Sequence, residues 1–140
     1  MIHFVVPTVP ISQPRPRATI RGGHAAVYGA SSKHPIHTFK ATVRLVATNA
    51  YGGAPLAGPV ALEAVFVFPR PKNMFWKTRD MPRVYHEKTP DLDNVLKSLM
   101  DAMTGIVLAD DKNVVRITAS KWVAAADEQP HVEVKLWELP

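Results

Sequence analysis

The chain has 140 residues, enough for one domain with a hydrophobic core and short for two. With 46% hydrophobic and 21% charged residues its composition is that of an ordinary globular protein. The absence of cysteine excludes disulfides, Cys-type zinc sites and thiol catalysis. No apolar run reaches the ~20 residues of a membrane span, and no signal-peptide pattern opens the chain, so we expect a cytoplasmic protein with no membrane partner.

The net charge of +5 is unevenly distributed along the chain. Residues 1–90 contain 12 Lys and Arg against three acidic residues, a net charge of +9. Residues 91–140 contain five Lys and Arg against nine acidic residues, a net charge of −4. Cations hold phosphates and clustered carboxylates hold metal, so this asymmetry is compatible with a nucleic-acid enzyme, although many small basic proteins bind no nucleic acid.

The first 28 residues predict a short strand followed by a basic hairpin. Ile2–Val6 is a β-prone run, and Pro7 ends it. Residues 12–24 are rich in Pro, Gly and Arg and form a basic loop or hairpin, with residues 25–28 as its returning strand. The basic side chains of this part are candidates for DNA contacts: Arg15, Arg17 and Arg21.

The next part of the chain predicts a helix and a strand. Ser31 or Ser32 can cap a helix that runs to about Tyr51, with apolar residues at helical spacing and two glycines after it. Residues 60–68 alternate apolar side chains on one face with mostly small or apolar ones on the other. This pattern predicts a strand that is covered on much of both faces.

Residues 69–90 are predicted as one long irregular segment. Connections of this length inside a small domain are usually functional or mobile. Three aromatic residues in it can stack on exposed bases, although packing over the core explains them equally well: Phe75, Trp76 and Tyr85. Its basic residues are further candidates for DNA contacts: Arg70, Lys72, Lys77, Arg79, Arg83 and Lys88.

Asp91 is expected to begin a second helix, because Pro90 precedes it and Asp is a favoured N-cap residue. An apolar stripe at helical spacing follows for three turns. Residues 114–123 and 131–136 are predicted as two further strands. Together the elements predict a single α/β (α+β) domain over residues 1–140, with a small mixed or mostly antiparallel sheet packed on two main helices.

The carboxylates around this second helix form an unusual cluster in a basic chain. Asp93, Lys97 and Asp101 are spaced i, i+4, i+8 and therefore share a helix face opposite the apolar stripe. Asp91 lies at the helix start, where unpaired N–H groups favour an anion. A sharp loop can return one carboxylate of the downstream Asp110-Asp111 pair to the same region.

Such a cluster has a chemical use in phosphodiester hydrolysis. Asp91, Asp93 and one member of the Asp110-Asp111 pair would supply oxygen ligands for one or two divalent cations, Mg²⁺ or alternatively Mn²⁺. The cation would activate a water and neutralise the charge that develops on a scissile phosphate, and Lys97 can orient that water or stabilise the phosphate oxygens. Taken singly, each residue is also explained by helix capping, a surface ion pair or a turn.

Three histidines are weaker candidates. His34 and His37 have a spacing that zinc sites use, but no Cys or third His is near them in sequence, so a solvated helix start is the simpler explanation. His86 lies in the basic segment and can contact phosphate, although a surface loop position is the default.

Two motifs resemble a known family. Residues 88–103 read KTPDLDNVLKSLMDAM, and residues 105–111 read GIVLADD, with two valines shortly after. They resemble the RusA-type Holliday junction resolvases, particularly phage and prophage members, which carry a K-P-D-x-D-N-x-x-K-x-x-x-D-A-(L/M) helix and a later D-D followed by valine. Val6-Pro7 and Arg15-Pro16-Arg17, before a Gly-Gly-containing basic loop, also look like the opening of that family.

The resemblance implies a Mg²⁺-dependent crossover junction endodeoxyribonuclease of bacterial or prophage origin that acts in DNA recombination and repair. It further implies a homodimer that nicks opposing strands of a four-way DNA junction symmetrically. By the same resemblance Asp91, Asp93 and Asp111 look like the metal-binding catalytic carboxylates, Asp110 like a further metal ligand, and Lys97 like the catalytic lysine. The alternatives are a non-catalytic branched-DNA-binding protein, or a flap or branch nuclease of the same fold.

Overall fold

A computed structural model describes residues 1–14, 17–28 and 31–140 of the chain. The described residues form seven strands and two α-helices. In chain order these are β1 (Ile2–Val6), β2 (Arg17–Arg21), β3 (His24–Tyr28), α1 (Pro35–Ala50), β4 (Val60–Phe68), β5 (Val84–Tyr85), α2 (Leu92–Met103), β6 (Val114–Val123) and β7 (His131–Glu138). Two short 3-10 turns occur at Lys72–Met74 and Asp111–Asn113.

Five of the strands make one mixed sheet, in the order β1-β7-β4-β6-β5. β4 and β6 are parallel, whereas the other neighbours are antiparallel. A parallel pair needs a long crossover, which the segment from residue 69 through α2 supplies. β2 and β3 form a separate antiparallel hairpin, whose turn glycines Gly22 and Gly23 have positive φ. The predicted α+β class with a mixed sheet and two main helices is confirmed.

Both helices pack on the same face of the five-stranded sheet. Alternate residues of the strands, such as Phe4, Leu62 and Val134, lie in one buried cluster with Phe39 of α1 and Leu99 of α2. α1 lies against β1 and α2, and α2 also lies against β6. Neither helix in the described part of the chain has the length and apolar character that a membrane crossing requires. The helices therefore cover the sheet and leave the outer face of α2 open.

The cap of α1 differs from the prediction of Ser31 or Ser32. His34 precedes the helix, and its Nδ1 accepts a hydrogen bond from the backbone N–H of Ile36 at 3.0 Å. Ser31 instead accepts from the backbone N–H of Lys33, one turn too early. The physical reason is Pro35, whose fixed φ suits the first helical position and so makes its predecessor the cap.

The segment 69–90 is more ordered than its sequence indicates. It contains a 3-10 turn and β5, which pairs with the last two residues of β6. Arg70 is only 8% exposed, and its guanidinium donates hydrogen bonds to the carbonyls of Met74 and Pro82, both at 2.9 Å. The predicted DNA contact by Arg70 is thereby corrected, because its side chain holds the segment together from inside the fold.

Candidate active site

The N-terminal end of α2 presents two exposed carboxylates. Asp91 is the N-cap residue with an extended backbone, yet among the described residues its side chain makes no capping hydrogen bond. Asp93 follows in the first turn, and Lys97 lies one turn later on the exposed side of the helix. Two acceptor groups and one cation thus lie near the positive end of the helix dipole, where anionic groups are favoured.

Lys121 of β6 supports this end of α2, and the sequence predicts only a strand there. Its Nζ donates to the carbonyl of Lys88 at 2.7 Å and to that of Pro90 at 2.6 Å. The backbone N–H of His86 also donates to the carbonyl of Lys121 at 3.1 Å. The turn that carries Asp91 is therefore fixed to the sheet. The sequence does contain a signal, because Lys121 interrupts the apolar alternation of Ile117, Ala119 and Val123.

The other acidic residues lie at the C-terminal end of α2. Asp101 is 3.6 Å from Nζ of Lys40 on α1, an ion pair between the two helices. Asp110 begins the 3-10 turn after α2, and its carboxylate accepts from the backbone N–H of Lys112 at 3.0 Å. Asp111 is exposed beside Asp110. Three carboxylates therefore lie toward this end without forming a compact group: Asp101, Asp110 and Asp111.

The adjacent carboxylates of Asp110 and Asp111 titrate differently. The hydrogen bond from the N–H of Lys112 and then the hydrogen bond with Asp111 lower the pKa of Asp110. The pKa of Asp111 is raised, first by its hydrogen bond with Asp110, then by a loss of hydration and by the negative charges of Asp110 and Asp101. The opposite directions follow from two like charges in contact, since ionising one carboxylate makes ionising the other less favourable.

The structure separates the predicted metal ligands into two groups within one chain. Asp91 and Asp93 lie together at one end of α2, whereas Asp110 and Asp111 lie near Asp101 at the other. Eight residues separate Asp93 from Asp101, which is about 12 Å along a helix axis. Among the described residues no three Asp, Glu or His side chains gather as a metal-binding group. The donor chemistry fits Mg²⁺, since every candidate offers carboxylate oxygen.

The predicted DNA-contacting residues have different surroundings. Arg83 is paired with Glu128 and, at 3.6 Å, with Glu133, so its charge is largely matched within the protein. The hydrogen bond between them raises the pKa of Arg83 and lowers that of Glu128. Arg17 and Arg21 contribute backbone to β2, and Arg15 lies outside the described residues. Four basic residues of the segment are exposed: Lys72, Lys77, Arg79 and Lys88.

A cleft of about 610 Å³ opens directly beside Asp91. One wall comes from the chain after β1 and the other from the end of β4 and the turn before α2. His86 lines it, with its ring centroid 4.8 Å from that of Phe68. Burial, and then the positive charge of Lys121, lower the pKa of His86 below its ordinary value, so the imidazole is neutral at pH 7.

The edge of β6 carries an exposed apolar strip. β5 pairs only with the last two residues of β6, so most of that edge has no neighbouring strand in the described part of the chain. Val115 is 62% exposed and Ile117 is 43% exposed. Leu96 and Met100 on the adjoining side of α2 are only partly buried. Apolar side chains on an unpaired strand edge are typical of a surface that another chain covers.

Comparison with known proteins places the chain in a family. The family model described as endodeoxyribonuclease RusA matches residues 7–137. The chain is also similar to the uncharacterized protein YqaN of Bacillus subtilis (strain 168). The two are 32% identical over 146 aligned positions, which cover 99% of this chain and 96% of the relative. The matched region contains α2 and both groups of acidic residues.

Proposed function

Because this chain belongs to the RusA family of endodeoxyribonucleases, we propose that it resolves four-way DNA junctions by paired symmetric nicks with Mg²⁺ as its cofactor. The observation that carries the proposal is the pair of exposed carboxylates at the start of α2. Asp91 and Asp93 are exposed, the Asp91 side chain makes no capping hydrogen bond, and Lys121 fixes the turn that precedes them. The reaction would belong to DNA recombination and repair.

Each residue of the proposed site has a distinct task. Asp91 and Asp93 would hold the divalent cation through carboxylate oxygens, as would Asp111 with Asp110 beside it. When bound, Mg²⁺ would supply charge neutralisation at the scissile phosphate and a more acidic water. Lys97 lies one helical turn beyond Asp93 and would stabilise negative charge on the phosphate oxygens.

The proposed site takes its carboxylates from two copies of the chain. Two oxygen ligands of one Mg²⁺ lie no more than about 4 Å apart, because each is about 2.1 Å from the ion. The acidic groups at the two ends of α2 are separated by about 12 Å within one chain. A homodimer removes this discrepancy if the second copy supplies Asp111 to the first copy's Asp91 and Asp93.

The exposed edge of β6 supports this arrangement. A second copy that packs across the edge about a two-fold axis runs antiparallel to the first. The Asp110-Asp111 end of β6 in one copy then approaches the Lys121 end in the other. Lys121 contacts the turn before Asp91, so in such a dimer the two groups of carboxylates would be brought close together. The same axis creates two equal sites, which suits a junction with approximate two-fold symmetry.

Substrate binding would come mainly from cations of the segment before α2. Four exposed cations lie in the segment that immediately precedes Asp91 in the chain: Lys72, Lys77, Arg79 and Lys88. Arg79 lies 4.0 Å over the ring of Trp76, which limits its motion. Contacts of this kind are made to phosphates, so junction affinity should fall steeply with salt.

A cleavage assay on a synthetic four-way junction tests the proposal. The wild type with Mg²⁺ should produce paired nicks at symmetric positions, and EDTA should stop them. Asp93→Asn should remove nicking while binding persists, because the change deletes a carboxylate and no cation. Asp127→Asn, in the exposed turn between β6 and β7, is the matched control and should cut normally.

The competing functions give other results in the same assay. A non-catalytic binder would retain metal-independent affinity for the junction and leave it intact with every divalent ion. A flap or branch nuclease would cut those substrates faster than four-way junctions at matched salt. Either result would contradict the proposed activity.

A further inference from the structure

We infer that the cleft beside Asp91 holds an unstacked nucleobase of the strand being cut and so reads the sequence at the cleavage point. The inference rests on the proposed nuclease function. The volume of the cleft, about 610 Å³, is within the range of small-ligand sites and exceeds that of a single base. Because Asp91 lines the cleft, a base within it belongs to a nucleotide next to the scissile phosphate.

The chemistry of the lining favours a base over a phosphate. Phe68, Pro69 and Pro90 offer flat apolar surface, and Ser12, Asn94 and His86 offer hydrogen-bonding groups. Stacking surface combined with a few polar groups is how proteins hold an extruded base. No Lys or Arg is among the described residues that line the cleft, and its charged member is a carboxylate. The described lining therefore offers a phosphate no cationic side chain, whereas it offers a base both stacking surface and hydrogen bonds.

Both walls of the cleft are fixed before any ligand arrives. On one side Ser98 of α2 donates through Oγ to the carbonyl of Ile11 at 2.5 Å, and the N–H of Gln13 donates to the carbonyl of Asn94 at 3.1 Å. On the other side the backbone of His86 is bonded to Lys121 at 3.1 Å. A preformed cleft lowers the ordering cost of binding.

His86 is the residue that would distinguish between bases. Its Nδ1 accepts from the backbone N–H of Lys88 at 3.3 Å. In a neutral ring the proton then resides on Nε2, which is left as a donor. A fixed donor favours a base edge that presents an acceptor, and the ring contact with Phe68 holds its orientation.

The test compares cleavage rates on junctions that differ only in the base pair at the crossover. The wild type should cut the best sequence about 10-fold or more faster than the worst, as expected when a hydrogen bond to a base edge discriminates. His86→Phe keeps a ring against Phe68 and deletes the donor, so the ratio should fall toward 1. His3→Phe, on the exposed opposite face of the sheet, should keep the wild-type ratio.

Two results would overturn the inference while leaving the nuclease function intact. The first is a wild type that cuts all the junctions at equal rates. The second is a His86→Phe variant that cuts with the wild-type ratio. Thermal denaturation of each variant distinguishes a loss of sequence discrimination from a loss of folding.

A second measurement does not depend on cleavage. A junction with 2-aminopurine at the crossover should brighten when the wild type binds it in EDTA, because unstacking relieves quenching of that base. Ser12→Phe fills the cleft and should suppress the increase at equal binding. Brightening that survives in Ser12→Phe, or an absence of brightening with the wild type, would contradict the inference even if the protein cut nothing.

Discussion

Mixing two inactive variants provides a direct test of a site shared between two copies. Asp93→Asn removes a carboxylate at the start of α2, and Asp111→Asn removes one at its far end. Each variant alone should fail to nick junctions, since both of its sites lack one ligand. In a mixed dimer one site lacks both carboxylates and the other site is complete.

The expected magnitude follows from the geometry. Random exchange of equal amounts makes half of the dimers mixed, and each mixed dimer has one complete site out of two. About a quarter of the wild-type nicking sites should therefore return. The product should be a junction nicked on one strand, because the second site of each mixed dimer stays inactive.

The assay is single-strand nicking of a labelled junction after the two variants are mixed and allowed to exchange. Mixing Asp93→Asn with Asp91→Asn is the control, since both changes lie in the same half-site and every mixed dimer has two defective sites. If Asp93→Asn and Asp111→Asn restore no more activity than that control, the carboxylates act within one chain. The two-fold arrangement across β6 would then be refuted.

Three further changes have defined outcomes. Lys121→Met removes the donor to the carbonyl of Pro90 and should lower the nicking rate at least 10-fold and the Tm by several degrees, since bonds from charged donors contribute about 1.5–3 kcal/mol. Ile117→Lys should leave the chain folded but monomeric by light scattering and inactive, because this apolar side chain is already 43% exposed. Arg83→Gln should lower the Tm at pH 7 by roughly 2–4 °C, for a loss of about 1 kcal/mol from its partly exposed pair with Glu128. The pairing holds the folded-state pKa of Glu128 below its ordinary 4.5, so the stabilisation is present above that value and is lost as the pH falls through the lower one.

Two of these changes have matched control variants, and the third has a defined contradicting outcome. Lys135→Met, on the opposite face of the sheet, should leave nicking unaltered. Leu45→Lys replaces an exposed apolar residue of α1 and should leave the dimer intact. A difference in Tm between wild type and Arg83→Gln that stays constant from pH 7 to pH 3 would contradict the proposed role of Glu128.

Much of the fold is predictable because local patterns and tertiary packing agree. The alternation of residues 60–68 predicts a strand covered on both faces, and β4 occupies the centre of the sheet. Asp91 after proline predicts the start of α2. β5 escaped prediction because two residues carry no period, and only its pairing with distant Trp122 and Val123 defines it.

The candidate site was predictable in its residue types and less so in its assembly. The motif around α2 identifies Asp91 and Asp93 as exposed carboxylates, which the structure matches. No spacing rule indicates that Asp111 would lie at the far end of α2, because loop geometry decides where it returns. Charge alone also cannot distinguish Arg70 from Lys72. Arg70 is buried and donates hydrogen bonds to backbone carbonyls, whereas Lys72 is exposed.

The length of β6 has a consequence for the product of the reaction. The strand begins just after Asp111, and Lys121 near its end contacts the turn before Asp91. In a two-fold dimer across this edge, the length of the strand would therefore set the distance between the two active sites. Two residues inserted in β6 would preserve which side chains face the helices and lengthen the strand by about 7 Å. The distance between paired nicks would then be encoded in one strand of the fold.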